Sequence, residues 1–228
     1  MFNDGFYPTP WRVAMEMLIN VRFDYKVSVL EPSAGKGDLC DFIAKKYKSR
    51  NRYKDGLDID TLELDPELRM ILKGKGYRVV GFDFLRFDTF KRYDWIFMNP
   101  PFADGDAHLT KALNLLKPGG TCVCVLNAET IDNPYTNTRK ALISKLEKWG
   151  ADTKTRMIDA FKGDGVEREA DVTVAVIRVP RPVTEERPTI VLDKLKKDFL
   201  ESQEQAARFC TDLIIHDTIK QAIPMSND

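Results

Sequence analysis

Val27-Ser28-Val29-Leu30-Glu31-Pro32-Ser33-Ala34-Gly35-Lys36-Gly37-Asp38-Leu39 is the stretch on which the reading of the fold turns. An apolar, β-branched run of the kind buried strands show enters a turn carrying two glycines and leaves as a helix over Asp38 to Tyr47. The same alternation continues along the chain. Leu57 to Leu64, Tyr77 to Phe84, Trp95 to Met98, Thr121 to Leu126 and Asp171 to Val179 read as strands, with Thr153 to Phe161 a weaker seventh. Between them Pro66 to Lys73, Ala107 to Leu116 and Thr138 to Trp149 carry apolar residues at three- and four-residue spacing, as helices packed on a core do. Gly119-Gly120, after Lys117-Pro118, reads as the stop of one of these helices. Repeated strand-helix units with short links predict an α/β fold: a mostly parallel seven-stranded sheet with helices on both faces.

The flanks of that pattern set the organisation. Ahead of the first strand, Thr9-Pro10 has the form of an N-cap followed by proline at the first helical position, which predicts a helix over Trp11 to Ile19. Pro180, Pro182 and Pro188 end the alternation, so residues 1–180 form the sheet domain and 181–228 a charged helical extension. In that extension Leu192, Leu195, Phe199, Ala206, Cys210, Leu213 and Ile214 recur at helical spacing. This stripe needs burial, on its own domain, on a second copy of the chain or on a separate specificity domain.

Composition narrows the function classes. The 228 residues include 43% apolar and 31% charged side chains, enough for one good-sized core. Lysine plus arginine and aspartate plus glutamate both number 35, so no overall field draws the chain to a polyanion, and nucleic-acid contact requires a local patch. Four cysteines and two histidines, with no C-x-x-C pair, suggest neither a disulfide scaffold nor zinc, and point to a reducing, cytoplasmic setting. No apolar run approaches the roughly 18 residues of a membrane span, so no membrane partner is expected.

The residues that carry chemistry fall at the carboxyl ends of the predicted strands. In a doubly wound sheet that is the switch-point crevice, where Gly35 and Gly37 let backbone approach a ligand, although glycines in such a turn equally serve turn geometry alone. The third glycine of the dinucleotide fingerprint is missing, and so is the Gly-Lys-Ser/Thr of a phosphate loop. Glu63, after the second run, can accept the hydroxyls of a ribose, and Asp83-Phe84, after the third, offers a carboxylate and an aromatic face to an adenine. Together they outline a site for an adenosine without phosphates. The sharpest signal is Asn99-Pro100-Pro101-Phe102 after the fourth run. Two prolines fix the backbone and remove two N–H donors, leaving the Asn99 side-chain oxygen and the Pro100 carbonyl as acceptors for one planar amine, with Phe102 to stack on its ring.

Phe6-Tyr7-Pro8-Thr9-Pro10, Glu31 to Gly37, Glu63, Asp83 and Asn99 to Phe102, in that order, resemble the class I S-adenosylmethionine-dependent N6-adenine DNA methyltransferases with the gamma arrangement of motifs. The overall look is similar to the orphan enzymes of phages and mobile elements. The resemblance implies a Rossmann-like methyltransferase fold over residues 6 to 180, with S-adenosyl-L-methionine as cofactor, S-adenosyl-L-homocysteine as product, and neither a metal nor a covalent intermediate. It implies that Tyr7 and Thr9 flank the methionine part, and that Glu31, Ala34, Gly35 and Gly37 shape its pocket. Glu63 would hold the ribose, Asp83 and Phe84 the adenine, and Asn99, Pro100, Pro101 and Phe102 the target base. DNA is the implied partner; RNA-adenine and protein-glutamine enzymes share the Asn-Pro-Pro-aromatic element. Two segments are candidates for nucleic-acid contact: the polar loop from Asn127 to Lys140 and the cluster Lys45, Lys46, Lys48, Arg50, Arg52 and Lys54, the latter read in the first place as a solvated helix end and loop. Asp164 to Glu169 reads as the turn between the last two strands.

Overall fold

The computed structural model describes residues 7–50, 56–163, 166 and 169–183, without the side chain of Arg50. The chain divides into two units, Met1–Val183 and Thr184–Asp228, and the account below concerns the first. The apolar stripe from Leu192 to Ile214, Cys210, Phe6, Arg52, Lys54 and most of the Asp164 to Glu169 turn lie outside the described residues.

Helix α1 (Trp11–Leu18) leads into β1 (Val27–Glu31), α2 (Asp38–Arg50), β2 (Leu57–Leu62), α3 (Pro66–Gly74) and β3 (Arg78–Gly81). The chain then returns through β4 (Tyr93–Met98), a 3₁₀ turn (Phe102–Asp104), α4 (Gly105–Leu115) and β5 (Leu116–Asn127). It closes with α5 (Glu129–Asp132), α6 (Asn137–Lys148), β6 (Asp152–Met157) and β7 (Val174–Pro180). The seven strands stand in the order β3-β2-β1-β4-β5-β7-β6. Only β7 runs antiparallel, to both β5 and β6. Because β2 and β3 extend to one side of β1 and β4 to the other, the order reverses between β1 and β4, and a crevice opens at their carboxyl ends.

The two-residue period of the strands sorts the core into two layers. Val29, Phe97, Val123, Val125, Val174 and Val176 face α1 and α2, where Val13, Met17, Ile43 and Tyr47 cover them. Leu30, Ile96, Met98, Cys122, Cys124 and Ile177 face the other way, under Leu109 and Leu113 of α4 and Leu142 and Leu146 of α6. Both faces being buried explains why the strands read as near-continuous apolar runs. Asp65 caps α3, its Oδ1 accepting the N–H groups of Glu67 at 2.8 Å and Leu68 at 3.2 Å, with Pro66 at the first helical position. Among the described helices, none is long and apolar enough to cross a membrane.

Two local expectations change. Thr9 does not cap α1: Pro10 occupies the N-cap position without a side-chain bond, and the Thr9 hydroxyl is engaged elsewhere. Gly119-Gly120 does not stop α4, which ends at Leu115; both glycines lie within β5, where the Gly119 N–H donates to the Arg181 carbonyl at 3.0 Å. Their role is close approach. A Cβ on Gly120 would stand 2.9 Å from the carbonyl oxygens of Tyr93 and Asp94 and 3.0 Å from that of Lys117, all of them backbone atoms. Gly120→Ala is therefore expected to push β5 from β4 and cost about 2 kcal/mol of stability, the scale of an overpacked interior. Urea unfolding measures it, and an unchanged midpoint would contradict this account.

Candidate active site

A cavity of about 290 Å³ occupies the crevice, at the lower end of the range for small-molecule sites. The carboxyl ends of β1, β2, β3 and β4 build its walls, and Tyr7-Pro8-Thr9 closes one side. Of the expected site residues, Tyr7, Thr9, Glu31, Ala34, Gly35, Glu63, Asp83, Phe84, Asn99 and Pro101 line it. Gly37, Pro100 and Phe102 do not.

The glycine turn is held to the end of β2. The Ala34 N–H donates to the Leu62 carbonyl at 2.9 Å, and the Gly35 N–H to Glu63 Oε2 at 2.7 Å. Glu63 Oε1 accepts the Asp65 N–H at 2.9 Å, and the Leu64 N–H also bears on the carboxylate, which keeps acceptor capacity for a ligand. Gly35 and Gly37 adopt φ of 55° and 89°, the left-handed region that suits glycine. Gly37 serves packing rather than the cavity wall, since a Cβ there would meet Leu72 Cδ2 at 2.9 Å.

Charge in the cavity is mainly acidic. Glu31, Asp38, Glu63, Asp65, Asp83 and Asp104 line it against a single lysine, Lys36. Burial first, and then the neighbouring Glu63, push the Glu31 carboxyl well above its usual range, opposed by a hydrogen bond from the Ser33 backbone N–H and by the Cys40 thiol, Sγ to Oε2 at 3.8 Å. Burial likewise raises Glu63, opposed by its backbone hydrogen bonds. Such a surround repels a pyrophosphate and favours a ligand carrying positive charge. Among the described residues, no group of three or more His, Cys, Asp or Glu side chains is placed to hold a metal ion.

Beyond β3 the aromatic roles differ from expectation. Phe84 is only 2% exposed, packed against His108 with ring centroids 5.6 Å apart, and forms wall rather than a free stacking face. Phe82, two residues earlier, is 62% exposed and lines the cavity with Leu64, 59% exposed. Asp83 Oδ1 accepts the Leu85 N–H at 2.9 Å and so fixes this turn.

At the end of β4 the Asn99 amide is oriented by its partners. Its Nδ2 donates to the Tyr7 carbonyl at 3.1 Å and to Thr9 Oγ1 at 3.2 Å. A carbonyl oxygen can only accept, so the nitrogen must face Tyr7 and Oδ1 turns away from it as an acceptor. Pro100 is buried, and among the described residues no hydrogen bond reaches its carbonyl, whereas the Pro101 carbonyl accepts the Asp104 N–H at 3.1 Å. Phe102, half-buried, packs against other aromatics. Its ring lies against Tyr7, 6.2 Å between centroids at 23°, and edge-on to Phe161 at 5.6 Å.

The residues that sequence reasoning missed are Leu64, Phe82, Asp38, Asp65, Asp104, His108 and Phe161. Asp38 and Asp65 carried a signal as first-turn and capping residues, and Phe161 stood at the end of a predicted strand. His108, in the first turn of α4 with its Nδ1 2.9 Å from the Asp104 carbonyl, carried none.

No family model and no curated protein matches this chain in sequence. Solved structures do match in fold. A protein described as a modification subunit of a type I restriction enzyme from Vibrio vulnificus YJ016 superimposes with a TM-score of 0.61 at 18% identity, over 78% of this chain and 45% of that one. A protein from Listeria monocytogenes, described as a class I S-adenosylmethionine-dependent methyltransferase, gives 0.57 at 11% identity over 86% and 72%. The 23S rRNA methyltransferase ErmE gives 0.54 at 18% identity over 77% and 70%. The chain thus spans less than half of the restriction subunit. At these identities the likeness concerns the fold, and the fold is that of the class I, Rossmann-like methyltransferases.

Glu31 and Glu63 have a consequence for stability. A carboxyl raised on folding stabilises the protein fully below its unfolded value near 4.5 and loses that contribution as pH rises through the elevated folded value. In the ligand-free protein Glu31→Gln is therefore expected to raise the melting temperature at pH 7, with the gain over wild type shrinking toward pH 4.5. A gain independent of pH, or a loss at pH 7, would contradict the assignment.

Proposed function

We propose that this chain is an S-adenosylmethionine-dependent methyltransferase acting on the exocyclic N6 amine of adenine in DNA, with residues 1–180 as its catalytic domain. The observation that carries the reading is the Asn99 amide, whose nitrogen is taken by Tyr7 and Thr9 while its oxygen stays an acceptor, followed in the chain by the Pro100 carbonyl, which no hydrogen bond reaches among the described residues. An exocyclic NH2 has two hydrogens to give. The two oxygens accept them, hold the nitrogen in place and direct its lone pair.

The cavity suits the cofactor. Glu63 lines the cavity as an acceptor for ribose hydroxyls, Phe82 and Leu64 offer apolar surface to an adenine, and Asp83, in the turn after β3, is an acceptor for its amine. Glu31 and its acidic neighbours match a net positive ligand bearing an ammonium and a sulfonium. When bound, S-adenosylmethionine supplies a methyl group already activated by its sulfonium, and its displacement by an amine leaves S-adenosylhomocysteine. The Thr9 hydroxyl accepts from Asn99 and keeps its own hydrogen to donate toward the methionine carboxylate. Tyr7, Phe102 and Phe161 form an interlocked aromatic group behind Asn99, so a base entering the site meets a rigid floor. Bringing an adenine there from a duplex requires flipping it out, at a few kcal/mol.

Incubation with methyl-labelled S-adenosylmethionine and DNA, RNA or protein, followed by digestion, tests the substrate. Label in N6-methyladenine of DNA is expected; label only in RNA or in glutamine would move the activity to those substrates, and no cofactor binding by calorimetry would make the chain a non-catalytic subunit. Asn99→Ala is expected to abolish turnover with cofactor affinity nearly unchanged, and equal loss of both would contradict its role. Glu63→Ala is expected to weaken cofactor binding by about 1–3 kcal/mol, the worth of hydrogen bonds to a charged group.

A further inference from the structure

Arg69 is not part of the cavity lining, yet it is bonded to two of the turns that form it. From the first turn of α3 its Nη1 donates to the carbonyls of Glu63 at 2.9 Å and Leu64 at 2.6 Å, at the end of β2. Its guanidinium carbon lies 4.4 Å from the ring centroid of Phe82, in the turn after β3. Asp65 and Leu68 fix the base of this arm, the one as the cap of α3 and the other as a buried anchor.

We infer that Arg69 is a positioning residue, a clasp that joins the β2 and β3 turns and sets Leu64 and Phe82 as the paired apolar surfaces receiving the adenine of the ligand. This rests on the reading of the cavity as an adenosyl site. An exposed phenylalanine on a surface turn can sample each of its few χ1 rotamers, and a flat cation over one face favours the one that meets it before the ligand arrives. The same guanidinium holds the backbone from which the Glu63 carboxylate projects, so ribose and adenine contacts are set together. Arginine suits this work because it combines a planar face with forked donors; lysine keeps the charge and loses the face.

Calorimetry on the full chain, with S-adenosylmethionine and separately with adenosine, tests the clasp. Arg69→Met is expected to raise both Kd values about tenfold, the loss of hydrogen bonds from a charged donor, and Arg69→Lys to recover part of that loss. Phe82→Ala, at an exposed position that folding does not depend on, is expected to raise both as well. The double variant should bind within about twofold of the weaker single variant, because both substitutions remove one ring's orientation. Melting temperatures without ligand establish that each variant is folded. Unchanged adenosine affinity in either single variant, or fully additive losses, would overturn the clasp while leaving the site intact. Wild-type protein that binds neither ligand would overturn the adenosyl reading and the clasp with it.

Discussion

A carbonyl oxygen cannot donate a hydrogen bond, and the candidate site is built around that fact. The Tyr7 carbonyl compels the Asn99 amide to present its nitrogen to the N-terminal segment and its oxygen elsewhere. Pro100 and Pro101 add stiffness and remove two competing donors, and the 3₁₀ turn consumes the Pro101 carbonyl while leaving that of Pro100 unpaired among the described residues. The sheet contributes by placing Asn99 one residue beyond β4, next to the reversal of strand order. Topology supplies the crevice; one backbone acceptor supplies the polarity within it.

The electrostatics of the cavity oppose the stability of the ligand-free protein. Glu31 is fully buried, its only relief among the described residues a Ser33 backbone N–H and the Cys40 thiol, and Glu63 raises it further. Groups held at such a cost are commonly functional, and here Glu31 and Glu63 line one cavity in which carboxylates outnumber the one lysine. A cationic ligand relieves their repulsion on binding, so affinity and folding stability draw on the same interaction. A second charged network does the reverse: Asp60, buried within β2, is partnered by Lys91 at 2.6 Å, the Tyr93 hydroxyl at 2.9 Å and Arg78. One cluster holds the sheet together, and the other waits for charge.

Much of the fold was legible because burial on both faces leaves β-branched runs that local chemistry punctuates, as at Asp65-Pro66 before α3. The Gly119-Gly120 pair misled because a helix stop and a tight strand crossing ask for the same residue, and only the neighbouring carbonyls of Tyr93 and Asp94 distinguish them. The site was legible wherever its residues end strands: Glu31, Glu63, Asp83 and Asn99 all line the cavity. It was less so for aromatics. β3 ends at Gly81, and in the turn that follows no two-residue period tells Phe82 from Phe84; packing on His108 decides which ring is buried. Phe102 was assigned to the ligand, but its partners Tyr7 and Phe161 come from distant parts of the chain. The Tyr7 carbonyl, being backbone, leaves no mark in side-chain patterning at all.

The central claim is that two oxygens, Asn99 Oδ1 and the Pro100 carbonyl, hold the amine that is methylated. A crystal structure with S-adenosylhomocysteine and a short adenine-containing oligonucleotide tests it most directly. The account requires both oxygens to lie about 3 Å from the adenine N6. An Asn99 amide nitrogen turned toward the base, or an adenine amine seated away from both oxygens, would contradict it.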